Sequence, residues 1–150
     1  MGKSAVFHGK MDADWGDLVN IRIEVTPEQA ADLLKAGLPV PAPITAVGLL
    51  DSGASTTMFD ETIAPMMGLP AIGTSGYLAG GGGGAVIPSN YYSAIITCMD
   101  EPMISTPLKV IGEIIGQKGL PFQVLLGRDF LQHFGYTHDG PGKTFELWKV

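Results

Sequence analysis

Hydrophobic residues alternate with polar ones at Val19, Ile21, Ile23 and Val25, the period-two spacing of a strand that buries one face. The pattern then changes. Thr26 stands as an N-cap, Pro27 as the first helical residue, Gln29 completes a capping box and Gly37 lies just past the end, so a helix is predicted over 26–37, with Leu33 and Leu34 directed inward. Pro39, Pro41 and Pro43 keep the following segment extended until a second apolar run, Ile44 to Leu50, which stops at the turn-forming sequence Asp51-Ser52-Gly53-Ala54-Ser55. Asp60 to Met67 is predicted as a short helix, with Asp60 as N-cap and Pro65 near the first turn. Two extended arms, Gly76 to Ala79 and Ala85 to Ile87, flank the run Gly80 to Gly84 and read as a long hairpin. Further strands are expected at Tyr91 to Cys98, Leu108 to Ile115 and Phe122 to Leu126. Arg128 to Phe134 reads as helical with Gly135 as its C-cap; Asp139 to Gly142 makes a turn, and Thr144 to Val150 closes the chain as a strand. The sum is a mostly β chain with two or three short helices.

Composition sharpens this picture in a few places. A chain of 150 residues with 45% hydrophobic content can bury a core as one domain, and its 21 glycines and 11 prolines punctuate short runs in the manner of β-structure. The net charge of −6, with nine basic residues scattered along the chain, supplies no stripe for phosphates, which excludes nucleic acid as the expected partner. A lone cysteine, Cys98, cannot make an internal disulfide. No apolar run approaches the roughly 18–20 residues of a membrane span, and the segment from Met1 to Asp17 is polar, so a cytoplasmic chain without membrane contact is expected.

Cofactor sites are also not expected. The glycine run contains a degenerate dinucleotide-binding pattern, but Ala85-Val86-Ile87-Pro88 follows it as a strand, with a proline where a helix would have to begin. His8, His133, His138 and Cys98 match no metal-ligand spacing and read as surface or helix-capping residues.

The candidate chemistry lies at Asp51. An aspartate placed on a tight loop directly after a buried strand sits at the floor of a cleft and not on a solvated face. Ser52 supplies a hydroxyl to brace that loop, and Gly53 lets a backbone N–H approach the carboxylate. The tripeptide alone reads as an ordinary turn, and its context has to decide otherwise.

Its surroundings resemble a known family. Gly48-Leu49-Leu50-Asp51-Ser52-Gly53-Ala54-Ser55 resembles the catalytic loop of the retropepsins, the single-lobe aspartic proteases. Val124-Leu125-Leu126-Gly127-Arg128-Asp129-Phe130-Leu131 resembles that family's second signature, and a glycine-rich hairpin lies between the two. The resemblance spans residues 44–134, and the helix at 26–37 is an addition to the pattern of the small viral enzymes.

The resemblance implies one retropepsin-like domain over 1–150: a closed, barrel-like single lobe with a flap hairpin and short helices, acting as a homodimer. It implies an aspartic endopeptidase in which the Asp51 carboxylates of two copies activate a water, with Ser52 and Gly53 completing the catalytic loop. The substrate is an extended peptide or unfolded protein segment. Ala54, Leu78, Gly80, Gly81, Gly82, Gly83, Gly84, Val86, Phe122, Gln123 and Leu125 would line the substrate cleft. Arg128 would bond either backbone carbonyls or an acid such as Asp60, and Trp148 would either cap the core or anchor a dimer interface. The alternative is a catalytically silent retropepsin-fold module that dimerises and binds peptides.

Overall fold

The structure is a computed structural model that describes residues 6–78, 86–98, 104–113 and 119–149. It is mostly β. In chain order the elements are β1 (Val6–Lys10), β2 (Leu18–Glu24), α1 (Pro27–Lys35), β3 (Ile44–Leu50), β4 (Met58–Asp60), α2 (Ile63–Met67), β5 (Gly73–Leu78), β6 (Val86–Cys98), β7 (Ile104–Glu113), β8 (Val124–Leu126), α3 (Arg128–Leu131), β9 (Phe134–Asp139) and β10 (Thr144–Lys149).

Seven strands form one sheet in the order β2-β3-β8-β4-β7-β6-β5. A further pairing of β2 with β6, through Ile21↔Cys98 to Glu24↔Ile95, curls that sheet back on itself. The alternation in β2 explains the curl: Val19, Ile21 and Ile23 all point into the enclosed space and are buried. Phe59, Ile96, Val110, Val124, Leu126 and Phe130 fill the same core, and the Phe59 and Tyr92 rings meet at 5.5 Å.

A second sheet of three strands, in the order β1-β10-β9, joins the two ends of the chain within one molecule. Val6 pairs with Trp148 and Phe7 with Leu147. Phe7 and Phe145 pack ring to ring at 5.6 Å and carry the core into this sheet. Neither β1 nor β9 stands out in the hydrophobic pattern: β1 is held by β10 from the far end of the chain, and β9 forms a hairpin with β10 across the turn at 140–143.

Several local expectations change in the folded chain. The α1 cap is as read, with Thr26 accepting from the Gln29 N–H and Gln29 accepting from the Thr26 N–H. Among the described residues, however, its hydrophobic face is only partly covered: α1 buries no residue completely, and Leu34 is 66% exposed. Leu33 is half-buried in a groove with Val25, Leu69 and Pro70. Asp60 does not cap α2, because its N–H donates to the Gln123 carbonyl (2.8 Å) and holds it in β4. Thr62 is the N-cap, and its hydroxyl donates to the Asp60 carboxylate.

Gly135 is no C-cap either. The helix stops at Leu131, Gly135 sits in β9 opposite Trp148, and a Cβ there would fall inside the indole. The arms of the glycine hairpin do pair, as β5 and β6, from Gly73↔Tyr91 to Leu78↔Val86, with Pro88 and Tyr91 belonging to one continuous strand. Its glycines, Gly80 to Gly84, lie outside the described residues. Among the described residues no helix is long and apolar enough to cross a membrane.

The two sheets meet at Asp17, which is buried just ahead of β2. Its carboxylate accepts from the Tyr136 hydroxyl and lies 2.7 Å from His138 Nδ1, both on β9. Burial, then the hydrogen bond and charge of Asp17, hold the Tyr136 phenol well above its ordinary range. The neutral phenol is thus favoured by folding. That contribution is complete below the ordinary phenol pKa of about 10 and is lost as pH rises above it.

Two outcomes follow from this packing. Phe59→Ala should destabilise the chain by about 3–5 kcal/mol in urea unfolding, whereas Leu34→Ser should change it by less than about 0.5 kcal/mol. In an absorbance titration of the folded chain, at least one phenol should stay protonated at about pH 11, where a free tyrosine is ionised, and Tyr136→Phe should remove it.

Candidate active site

The Asp51 loop is created by a strand insertion. β3 and β4 are consecutive in sequence but not neighbours, because β8 lies between them, parallel to β3 and antiparallel to β4. The connection between Leu50 and Met58 must therefore cross the end of β8. Leu50 pairs with Leu126 at the last rung, and the Asp51 N–H continues the ladder to the Leu126 carbonyl at 2.9 Å. Gly48, one turn of the pleat earlier, leaves room for the Leu126 side chain: a Cβ there would lie 2.8 Å from Leu126 Cδ1.

Beyond that rung the loop folds onto the residues that follow β8. The Arg128 N–H donates to the Ala54 carbonyl at 2.8 Å, and the Gly127 N–H donates to Thr57 Oγ1 at 3.1 Å. Gly127 is packed against backbone, since a Cβ would meet Thr56 C at 2.8 Å and the Ala54 and Thr56 oxygens at 2.9 Å. Arg128 takes the first of its two expected roles, donating from its guanidinium to the Ser52 carbonyl at 3.0 Å.

Asp129 completes the brace, and nothing in the sequence pattern had singled it out. Its carboxylate accepts from the Thr57 N–H (2.9 and 3.0 Å), the Thr57 hydroxyl (2.7 Å) and the Phe130 N–H (2.8 Å). Buried Thr57 thus donates to Asp129 while accepting from Gly127. The available signal was an acid within the second signature, in the first turn of its helix, with a segment rich in Ser and Thr after Asp51 to receive it.

Within this frame Asp51 is half-exposed, and its Oδ1 accepts from the Gly53 N–H at 2.9 Å. That is the one hydrogen bond of the carboxylate among the described residues. Gly53 comes this close because it lacks a Cβ, which would lie 3.1 Å from Asp51 Oδ1. Ser52 and Ser55 are exposed and Ala54 is half-exposed.

The other expected cleft residues fall in two places. Phe122, Gln123 and Leu125 are near the loop in the topology, since β8 pairs with β3. Leu125 is half-buried and sits between Leu49 and Met58. Phe122 is buried and meets Trp15 edge-on, with ring centres 6.1 Å apart. Gln123 is built into the sheet: its side-chain oxygen accepts from the Val47 N–H (2.9 Å) while its own N–H donates to the Val47 carbonyl (2.9 Å). Leu78 pairs with Val86 at the end of the β5–β6 ladder. Among the described residues no group of His, Cys, Asp and Glu side chains is arranged to hold a metal ion.

A solved structure shares this architecture: the crystal structure of a retropepsin-like aspartic protease from Rickettsia conorii aligns over 99% of this chain and 96% of its own, with a TM-score of 0.50 and 17% sequence identity. The fold is retropepsin-like. At that identity the likeness concerns the backbone arrangement. No family model matches the chain, and no curated protein matches it in sequence. In the retropepsin-like fold described here, the sheet order puts Asp51 and the Gly127-Arg128 segment in direct contact although they are far apart in sequence.

Gly127→Ala should destabilise the chain by about 1–3 kcal/mol in urea unfolding, because the added methyl meets backbone that cannot rotate away.

Proposed function

We propose that this chain is an aspartic endopeptidase that works as a homodimer, with the Asp51 carboxylate of each copy forming half of the catalytic pair. The observation that carries this reading is the placement of Asp51. It ends a buried strand, is fixed by Gly53 and the β8 rung, and keeps most of its hydrogen-bonding capacity unused by the described residues.

A carboxylate in that position can act as an acid–base group only if its proton affinity is suited to the task, and a second carboxylate achieves this. Two like charges about 3 Å apart do not both ionise, so the pair shares one proton. The ionised member takes a proton from a water as the water oxygen attacks the scissile carbonyl carbon. The protonated member donates a hydrogen bond to the carbonyl oxygen, where negative charge develops. Asp51 is the one aspartate of this chain in an Asp-Ser/Thr-Gly sequence, so the second carboxylate comes from a second copy related by a two-fold axis. Retropepsin-like proteins generally act as such dimers.

The pairing of β5 with β6 supports a flap role for Leu78 to Ile87, closing over an extended peptide that adds a strand above the Asp51 loop. In this reading Ala54, Leu125 and Phe122 contribute apolar walls, which favours hydrophobic residues beside the cut.

Asp51→Asn should lower the cleavage of an unfolded protein substrate by at least about a hundredfold without loss of fold. Activity per chain should also fall on dilution in step with the dimer population measured by sedimentation. Turnover indifferent to Asp51→Asn would refute the catalytic pair, and peptide binding without turnover would favour the non-cleaving module.

A further inference from the structure

Asp17 takes no part in the peptide chemistry above, yet it lies one rung from Asp51. Its carbonyl accepts the Leu50 N–H at 2.9 Å, and Leu50 is the residue that precedes the catalytic aspartate. Its side chain is 2% exposed. Oδ2 holds both Tyr136 Oη and His138 Nδ1, whereas Oδ1 has no hydrogen-bond partner among the described residues.

A carboxylate buried with one oxygen unpaired is unfavourable unless a counter-charge stands beside it. Among the described residues, the titratable groups facing Asp17 are Tyr136 and His138, and the one facing His138 is Asp17. The phenol remains neutral, since burial and Asp17 both oppose its ionisation. The group placed to supply a counter-charge is His138, whose Nδ1 lies 2.7 Å from Asp17 Oδ2 and whose side chain is 43% exposed to solvent. A neutral imidazole can still donate through Nδ1, so deprotonation removes the charge without removing the contact.

We propose that Asp17 is a positioning residue for Asp51, and that protonated His138 sets how firmly it holds. Through its side chain Asp17 is tied to β9 of the terminal sheet, and through its carbonyl it fixes the end of β3. With His138 charged, the two attachments tighten together. With His138 neutral, the buried carboxylate loses its compensation and the end of β3 loosens, so the Asp51 loop is held best on the acid side of neutrality. The kinetic consequence rests on the peptidase reading; the mechanical one does not.

The test uses the full chain with His138→Gln, Tyr136→Phe and Asp17→Asn, and reads amide hydrogen exchange at Leu50 together with kcat and KM from about pH 5 to about pH 8, where histidine changes charge. In the unaltered chain, protection at Leu50, corrected for the intrinsic exchange rate, should fall as pH rises. In His138→Gln it should be about tenfold lower at the acid end, the scale of one charge-assisted hydrogen bond, and flat with pH. Tyr136→Phe should lower protection while keeping the pH dependence. Asp17→Asn should reduce kcat with KM little changed.

Equal protection in His138→Gln and the unaltered chain, or an equally steep pH dependence in both, would overturn the proposal. The peptidase reading fails separately: an unaltered chain that never turns over substrate, yet shows pH-dependent protection abolished by His138→Gln, retains the strap and loses the enzyme.

Discussion

The structure depends on β8 lying between β3 and β4. Strands that follow one another in sequence usually pair, and here they are held apart by a strand contributed more than sixty residues later. The loop that joins them is forced over the end of β8, where it finds the backbone of Gly127 and Arg128 waiting to bond it. The contact tolerates no Cβ at Gly127, so loop and strand end meet backbone to backbone. Such a contact is fixed in direction, and it sets the path of the loop that carries Asp51.

The polar residues around this crossing divide the work. Asp129 and Thr57 tie the far end of the loop, Arg128 ties the near end at Ser52, and Gly53 turns one N–H onto Asp51. The charged groups of the second signature thus bond to backbone and hydroxyl groups of the loop, and among the described residues the Asp51 carboxylate bonds to Gly53 alone. Asp17 secures the strand behind it and joins it to the terminal sheet, so the positions of both sheets bear on the same loop.

Much of this was legible because it is local. The alternation from Val19 to Val25 gave β2, the Thr26-Pro27-Gln29 cap gave α1, and the apolar run to Leu50 placed Asp51 at a strand end. The resemblance of two segments to retropepsin signatures pointed to the pair that the fold brings together at Leu50↔Leu126. Short-range signals misled where a distant partner decided the outcome. Asp60 has the chemistry of an N-cap, but the Gln123 carbonyl holds it in a strand. Gly135 has the conformational freedom of a C-cap, but its lack of a side chain is used to seat Trp148. Leu34 belongs to an amphipathic helix whose apolar face is only partly covered among the described residues.

The sequence by itself determined the periodicity of β2, the N-cap of α1 and the identity of the residues on the Asp51 loop, because those depend on neighbours a few positions apart. Tertiary structure alone decided that Asp129 would brace Thr57, that the two ends of the chain would pair in one sheet, and that His138 would meet a buried Asp17. Those contacts join residues about seventy to more than a hundred and twenty positions apart. Their free energy comes from burying groups that only the closed fold brings together, and no pattern in a local window carries that information.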